Sequence, residues 1–264
     1  MPLIPGAEPF RHEGGEIGVV LCHGFTGSPQ SMRPWADFLA AKGLTVSLPL
    51  LPGHGTRWQD MQVTTWEDWY AEIDREVRAL SERCKQLFVF GMSMGGALTL
   101  HTAAQHGDAI SGITLVNPSV KADKRIIGAV PVLRHLVPSV PGIVNDIAKE
   151  GAQEVGYDRV PLHALHSLSR FWKVVQAELP RITQPVLLLH SPEDHVVAPE
   201  NSALVLSRIS STDVREVLLE RSYHVATLDH DAELIFEESW DFLRRLAPGA
   251  EEGGPMEQDG AAGA

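Results

Sequence analysis

The chain has 264 residues, 44% of them hydrophobic and 21% charged, and a formal net charge of −12. That length holds one large core, or one core and a small insertion, and the acidic balance argues against nucleic acid, whose phosphates demand a basic face. No segment approaches the ~20 apolar residues of a spanning helix, and the first residues lack the basic start and apolar run of a secretory leader, so a cytoplasmic protein is expected.

In chain order, an apolar run predicts a strand over 17–22, followed by a helix over 31–42 and a strand over 44–48. A helix over 66–83 leads to a strand over 87–90, a helix over 95–105 and a strand over 113–116. The rhythm breaks between Asn117 and Pro185, where some seventy residues hold apolar stretches cut by prolines and no strand pattern. That is too long for a structureless loop, and a small, mostly helical cap over 119–180 is the economical reading. Strand, helix, strand and helix then follow over 186–189, 200–209, 214–219 and 231–246. Continuous apolar strands separated by helices predict an α/β fold with a mostly parallel, doubly wound sheet covered on both faces. The core spans 1–118 and 181–247. The last residues, 248–264, are rich in Gly, Ala, Glu and Pro and predict a disordered acidic tail. Cys22 and Cys84 give no disulfide framework, and Cys22 reads as a free thiol buried in a strand.

The run Gly91-Met92-Ser93-Met94-Gly95 reads G-x-S-x-G between a strand and a helix, the context of a nucleophile elbow. A serine hydroxyl needs a general base, itself supported by a carboxylate. In a doubly wound sheet both must come from loops at the carboxyl ends of strands. Those loops offer Asp194, with Glu193 as its competitor, and His224, with His195 and His230 as rivals by proximity. The chain order is then Ser93, Asp194, His224. Two backbone N–H groups must receive the oxyanion: Met94, after the nucleophile, and Phe25, in the loop His23-Gly24-Phe25-Thr26-Gly27 after the first strand. His23 precedes the nucleophile and fits a role in shaping that loop. Neither a phosphate cradle nor a metal set is evident. His163 and His166 lack nearby carboxylates or thiols, so neither metal nor cofactor is expected.

Five segments in order resemble bacterial carboxylesterases and monoacylglycerol lipases of the α/β-hydrolase fold. They are 21–33, Pro52-Gly53-His54-Gly55-Thr56, Gly91-Met92-Ser93-Met94-Gly95-Gly96, Glu193-Asp194-His195-Val196-Val197 and 222–229. The resemblance implies Ser93 as nucleophile, Asp194 as acid, His224 as base, and the N–H groups of Phe25 and Met94 as oxyanion donors. Through 141–147 and 151–155 it also implies that Ile143 lines the acyl or entrance channel and that Glu154 accepts the glycerol hydroxyls. The expected activity is hydrolysis of short- to medium-chain monoacylglycerols through an acyl-enzyme. The alternatives are a broad carboxylesterase, a carbon–carbon bond hydrolase and a non-catalytic receptor on the same fold. The expected partner is a small ester or lipid, with peripheral contact of the cap to lipid aggregates and an oligomeric state that the sequence leaves open.

Overall fold

The computed structural model describes residues 2–122 and 124–248; apart from Pro248, the expected acidic tail lies outside them. Along the chain run β1 (Phe10–His12), β2 (Ile17–Cys22), α1 (Arg33–Ala41), β3 (Thr45–Leu48), α2 (Trp58–Met61), α3 (Trp66–Ser81), β4 (Gln86–Met92), α4 (Met94–His106) and β5 (Gly112–Val116). Next come α5 (Lys124–Leu133), β6 (Ser139–Pro141), β7 (Arg159–Pro161), α6 (Leu162–Glu178), β8 (Val186–His190), α7 (Glu200–Leu206), β9 (Val214–Leu218) and α8 (Ala232–Leu246).

Seven strands form one sheet in the order β1-β3-β2-β4-β5-β8-β9. Every neighbouring pair is parallel except β1 with β3. The apolar runs are continuous because both faces are covered, and alternate residues feed opposite cores. Val20, Val89, Ile113 and Val186 lie in one cross-strand row. They pack under α3, α4 and α6 through Trp69, Ile73, Leu98, Phe171 and Val175. Val19, Phe88, Phe90 and Leu187 point the other way, onto Trp35 and Leu39 of α1 and Ile235 and Leu243 of α8.

All six expected strands lie in this sheet, and the five expected helices are present with shifted ends. Two features depart from the expectation. An additional strand, β1, pairs at the edge, where three residues sufficed. The segment between β5 and β8, expected without strands, contains the antiparallel pair β6–β7 besides α5 and α6. Each of its strands is three residues long and ends in proline, too short to leave a periodic signal. Among the described residues no helix is long and apolar enough to cross a membrane.

The junction of β2, β4 and α4 is the tightest place in the molecule. A Cβ on Gly95 would lie 1.8 Å from the Cys22 carbonyl oxygen, and one on Gly91 would lie 2.2 Å from the Gly95 oxygen. Backbone stands on both sides, so nothing flexible can give way. Gly95→Ala is therefore expected to cost about 3 kcal/mol or more by overpacking. Urea unfolding of the variant against the parent checks this, and an unchanged midpoint would refute the close-packed junction.

Candidate active site

Ser93 sits between β4 and α4 with φ 57° and ψ −122°, a backbone conformation that costs of order 1–3 kcal/mol for a non-glycine residue. Its surroundings hold it there. The Ser93 N–H donates to the Val116 carbonyl at 3.0 Å, and its own carbonyl accepts from Gly96 at 2.9 Å and Ser119 at 3.0 Å. The turn lifts Oγ toward the loop after β2, where a Cβ on Gly24 would stand 3.4 Å from the Ser93 Cβ.

Ser93 Oγ and His224 Nε2 are 2.9 Å apart, and His224 Nδ1 lies 2.7 Å from Asp194 Oδ2. Oδ1 of Asp194 accepts the Val196 and Val197 N–H groups at 2.8 and 2.7 Å, leaving Oδ2 aimed at the imidazole. Glu193 is exposed, His195 pairs with Asp146 instead, and His230 is exposed. Burial disfavours the charge on His224, but the Asp194 hydrogen bond and charge, with Glu154 and Asp146 behind them, outweigh it. The imidazole therefore titrates above its ordinary range.

Two further groups face the same space. Met94 opens α4, so its N–H is one of the donors a helix start leaves unsatisfied, at the positive end of the dipole. Phe25 follows β2, its ring edge-on to Trp69 at 5.8 Å. Neither N–H is taken by a protein acceptor among the described residues. His23 shapes this loop. Its Nε2 accepts the Leu51 N–H at 3.2 Å while Nδ1 lies 3.0 Å from the Gly24 carbonyl. Burial, with the His54 charge and against the Gly24 hydrogen bond, lowers its pKa to about 3 and keeps it neutral.

A cavity of about 430 Å³ opens over Ser93 and His224. One wall is apolar: Leu165, Leu168 and Trp172 from α6, Val140 and Val160 from the β6–β7 pair, and Ile143 and Val196 at the rim. Ile143 is 62% exposed and so belongs to the entrance. At the polar end stands Glu154. Its carboxylate has no hydrogen-bond donor among the described residues, and burial pushes its pKa up against the opposing pull of His224. Gly27 makes room for it, since a Cβ there would lie 2.7 Å from Glu154 Oε1. The segment that carries Glu154 docks along the loop after β2. Ser28 Oγ donates to the Val155 carbonyl at 2.6 Å, Val155 N–H donates to Gln30 Oε1 at 2.9 Å, and Tyr157 N–H donates to the Thr26 carbonyl at 2.9 Å.

Three residues that sequence reasoning missed hold these loops together. Asp146 accepts the N–H groups of His224 and His195 at 3.1 and 3.2 Å, so one carboxylate pins both loops. Asn117, at φ 45°, accepts the Ser191 N–H at 2.7 Å and donates to the His224 carbonyl at 2.8 Å. Asp229 accepts four backbone N–H groups, from Ala148, Lys149, Tyr223 and His230. The only sequence signal was an Asn or Asp at a strand end or turn.

Residues 16–231 match the family described as serine aminopeptidase, S33. A thermostable monoacylglycerol lipase of Bacillus sp. (strain H-257) is 43% identical over 251 residues, covering 93% of this chain and 98% of that protein. A carboxylesterase of Bacillus subtilis (strain 168) is 25% identical over 90% of this chain and 97% of its own length. A solved structure from work on LipS and LipT, two metagenome-derived lipolytic enzymes, superposes with a TM-score of 0.90 at 43% identity, covering 92% of this chain and all of that one. The parallel sheet, the elbow between β4 and α4 and a match over most of the chain agree: the chain belongs to the serine aminopeptidase S33 family of α/β-hydrolases.

Proposed function

We propose that the protein is a serine ester hydrolase acting through an acyl-enzyme, with monoacylglycerols as its preferred substrates. The observation that carries this reading is the hydrogen-bonded line Asp194–His224–Ser93 ending in a cavity apolar on one side and closed by an unpartnered carboxylate on the other. In the proposed mechanism His224 Nε2 takes the Ser93 proton as Oγ attacks the ester carbonyl. The negative oxygen is received by the N–H groups of Phe25 and Met94. His224 then gives its proton to the leaving alcohol. Water, activated by the same imidazole, releases the acid and returns Ser93. Ser93→Ala is expected to lower kcat by ~10⁶-fold while leaving the fold intact. Esterase assays beside circular dichroism check it, and more than trace activity overturns the mechanism.

The acyl chain fits along Leu165, Leu168 and Trp172, and the glycerol fits at Glu154, whose free oxygens accept hydroxyl protons. A broad carboxylesterase would leave Glu154 without a role. We expect kcat/KM for 1-monolauroylglycerol to exceed that for methyl laurate at least ten-fold, ~1.4 kcal/mol of transition-state discrimination. Glu154→Gln should reduce that ratio. The general base must be neutral, so kcat/KM rises with pH through a midpoint above the ordinary imidazole value of 6.5. Glu154 is one of the carboxylates holding that midpoint up, so the same variant should lower it. Equal rates on the two laurates, with no change in the variant, would leave the alcohol unread.

We also infer that the cap meets lipid aggregates. Leu136 is 75% exposed, Val132 69% and Ile143 62%, with Val144 and Val196 beside the cavity mouth also exposed. Exposed apolar side chains such as Ile143 and Val196 at the cavity mouth suit a lipid interface. Activity is expected to rise as monolauroylglycerol passes its aggregation concentration; a rate that ignores that point argues against contact. A cytoplasmic location is in keeping with Cys22 and Cys84, both unpaired.

A further inference from the structure

Helix α6 has two working faces. Leu165, Leu168 and Trp172 look into the cavity over Ser93, whereas His163, His166 and Arg170 line a separate hollow of about 470 Å³. Their spacing of three and four residues puts these last three side chains on one stripe of the helix. Arg134, just after α5, and residues 62–65, on the approach to α3, close the hollow.

The charges there are unbalanced. Neither Arg134 nor Arg170 has a carboxylate within ion-pair distance among the described residues, although the chain carries a net charge of −12. Arg134 Nε and His166 Nδ1 are buried and have no hydrogen-bond partner among the described residues. Both atoms belong to side chains that line the hollow, and unpaired buried polar groups are uncommon in folded proteins. His166 is held below its ordinary range first by burial, then by Arg134, Arg170, His163 and His135. One carboxylate, exposed Glu67, lines the hollow, and it reaches neither arginine. Among the described residues no group of His, Cys, Asp or Glu side chains is placed to hold a metal ion. The hydroxyls of Thr64 and Thr65 are engaged with Met61 and Asp68. Gln62 Oε1 accepts the His163 N–H at 3.4 Å, leaving its Nε2 as a donor.

We propose that this hollow between α6, the end of α5 and the start of α3 binds a phosphate-type oxyanion. The donors converge from three chain segments, which suits a tetrahedral anion with oxygens in several directions better than a planar carboxylate. Arginine provides the charge-assisted hydrogen bonds such an oxyanion takes. A free phosphate and the headgroup of an anionic phospholipid share this chemistry, and both are tested.

The experiment is calorimetric titration of the full chain with inorganic sulfate and phosphate at pH 6 and pH 8. Sedimentation with phosphatidylcholine vesicles, with and without phosphatidic acid, accompanies it. Sulfate keeps its charge between these pH values, so any change in its binding between them comes from the protein. Arg134→Gln with Arg170→Gln should weaken sulfate at least ~10-fold and leave hydrolysis of a soluble ester unchanged. Arg170→Gln alone, at an exposed position, serves if the double variant folds poorly. Phosphate binding with no gain from phosphatidic acid identifies the free anion. Retention that depends on phosphatidic acid and is lost in the variants identifies the headgroup. Absence of binding in every arm, or equal binding by parent and variants, overturns the proposal.

Discussion

The close approach of α4 to the ends of β2 and β4 is the constraint on which the rest of the structure depends. With Gly95 against the Cys22 carbonyl and Gly91 beneath the Gly95 backbone, the chain turns from strand to helix in a single residue, and Ser93 takes the strain. The same contact sets the separation of three groups that must meet: Ser93 Oγ, the first N–H of α4 at Met94, and the loop after β2 that carries Phe25. Burial offsets the strain. The residues of α4 from Met94 to Ala104 are all buried, and those that are small let the helix lie close on the sheet. A looser junction would relax Ser93 and part the N–H groups of Met94 and Phe25 together.

Around that junction the loops are fixed chiefly by side-chain acceptors for backbone N–H groups. Asp194, Asp146, Asp229 and Asn117 each accept at least one backbone N–H from a loop at the carboxyl edge of the sheet. Those to the three aspartates run to a carboxylate, and such charge-assisted bonds are roughly twice as strong as neutral ones. They also leave little freedom of orientation, because each carboxylate has a second oxygen held elsewhere. Asp146 shows the consequence. It comes from the segment between β5 and β8, yet it accepts the His224 N–H, and its carbonyl accepts the Val225 N–H, so the roof over the cavity is tied to the imidazole's own loop.

These particulars explain what the sequence revealed. The strands were legible because burial on both faces leaves uninterrupted apolar runs. The Ser93 turn was legible because two backbone collisions force glycine at fixed spacing. Asp194 and His224 were read from the loops at strand ends and the chain order Ser, Asp, His, with Glu193, His195 and His230 as rivals. β1 was invisible, since a three-residue antiparallel edge has no period, and so were β6 and β7. Asp146 escaped notice for a different reason. Its partner His224 lies 78 residues away, and no local pattern encodes a contact of that range. Asn117 had a weak signal, an Asn at a strand end, but nothing to say that its amide would bridge the loops of Ser191 and His224.

Glu154 differs from Asp194, Asp146 and Asp229 in accepting no hydrogen bond from the described residues. Leaving a largely desolvated carboxylate without donors is unfavourable, and its raised pKa expresses that cost. His224 returns part of it, since each group favours the charged form of the other. In the proposed reaction the pair links recognition to chemistry. A polyol that donates hydroxyls to Glu154 stabilises its charge, and with it the imidazolium that forms when Ser93 gives up its proton. A simple alkyl ester offers no such donors and leaves the carboxylate as unsatisfied in the transition state as before. Discrimination of this kind is asymmetric: the penalty falls on the substrate lacking the polar group, because the site's own acceptor remains unpaired.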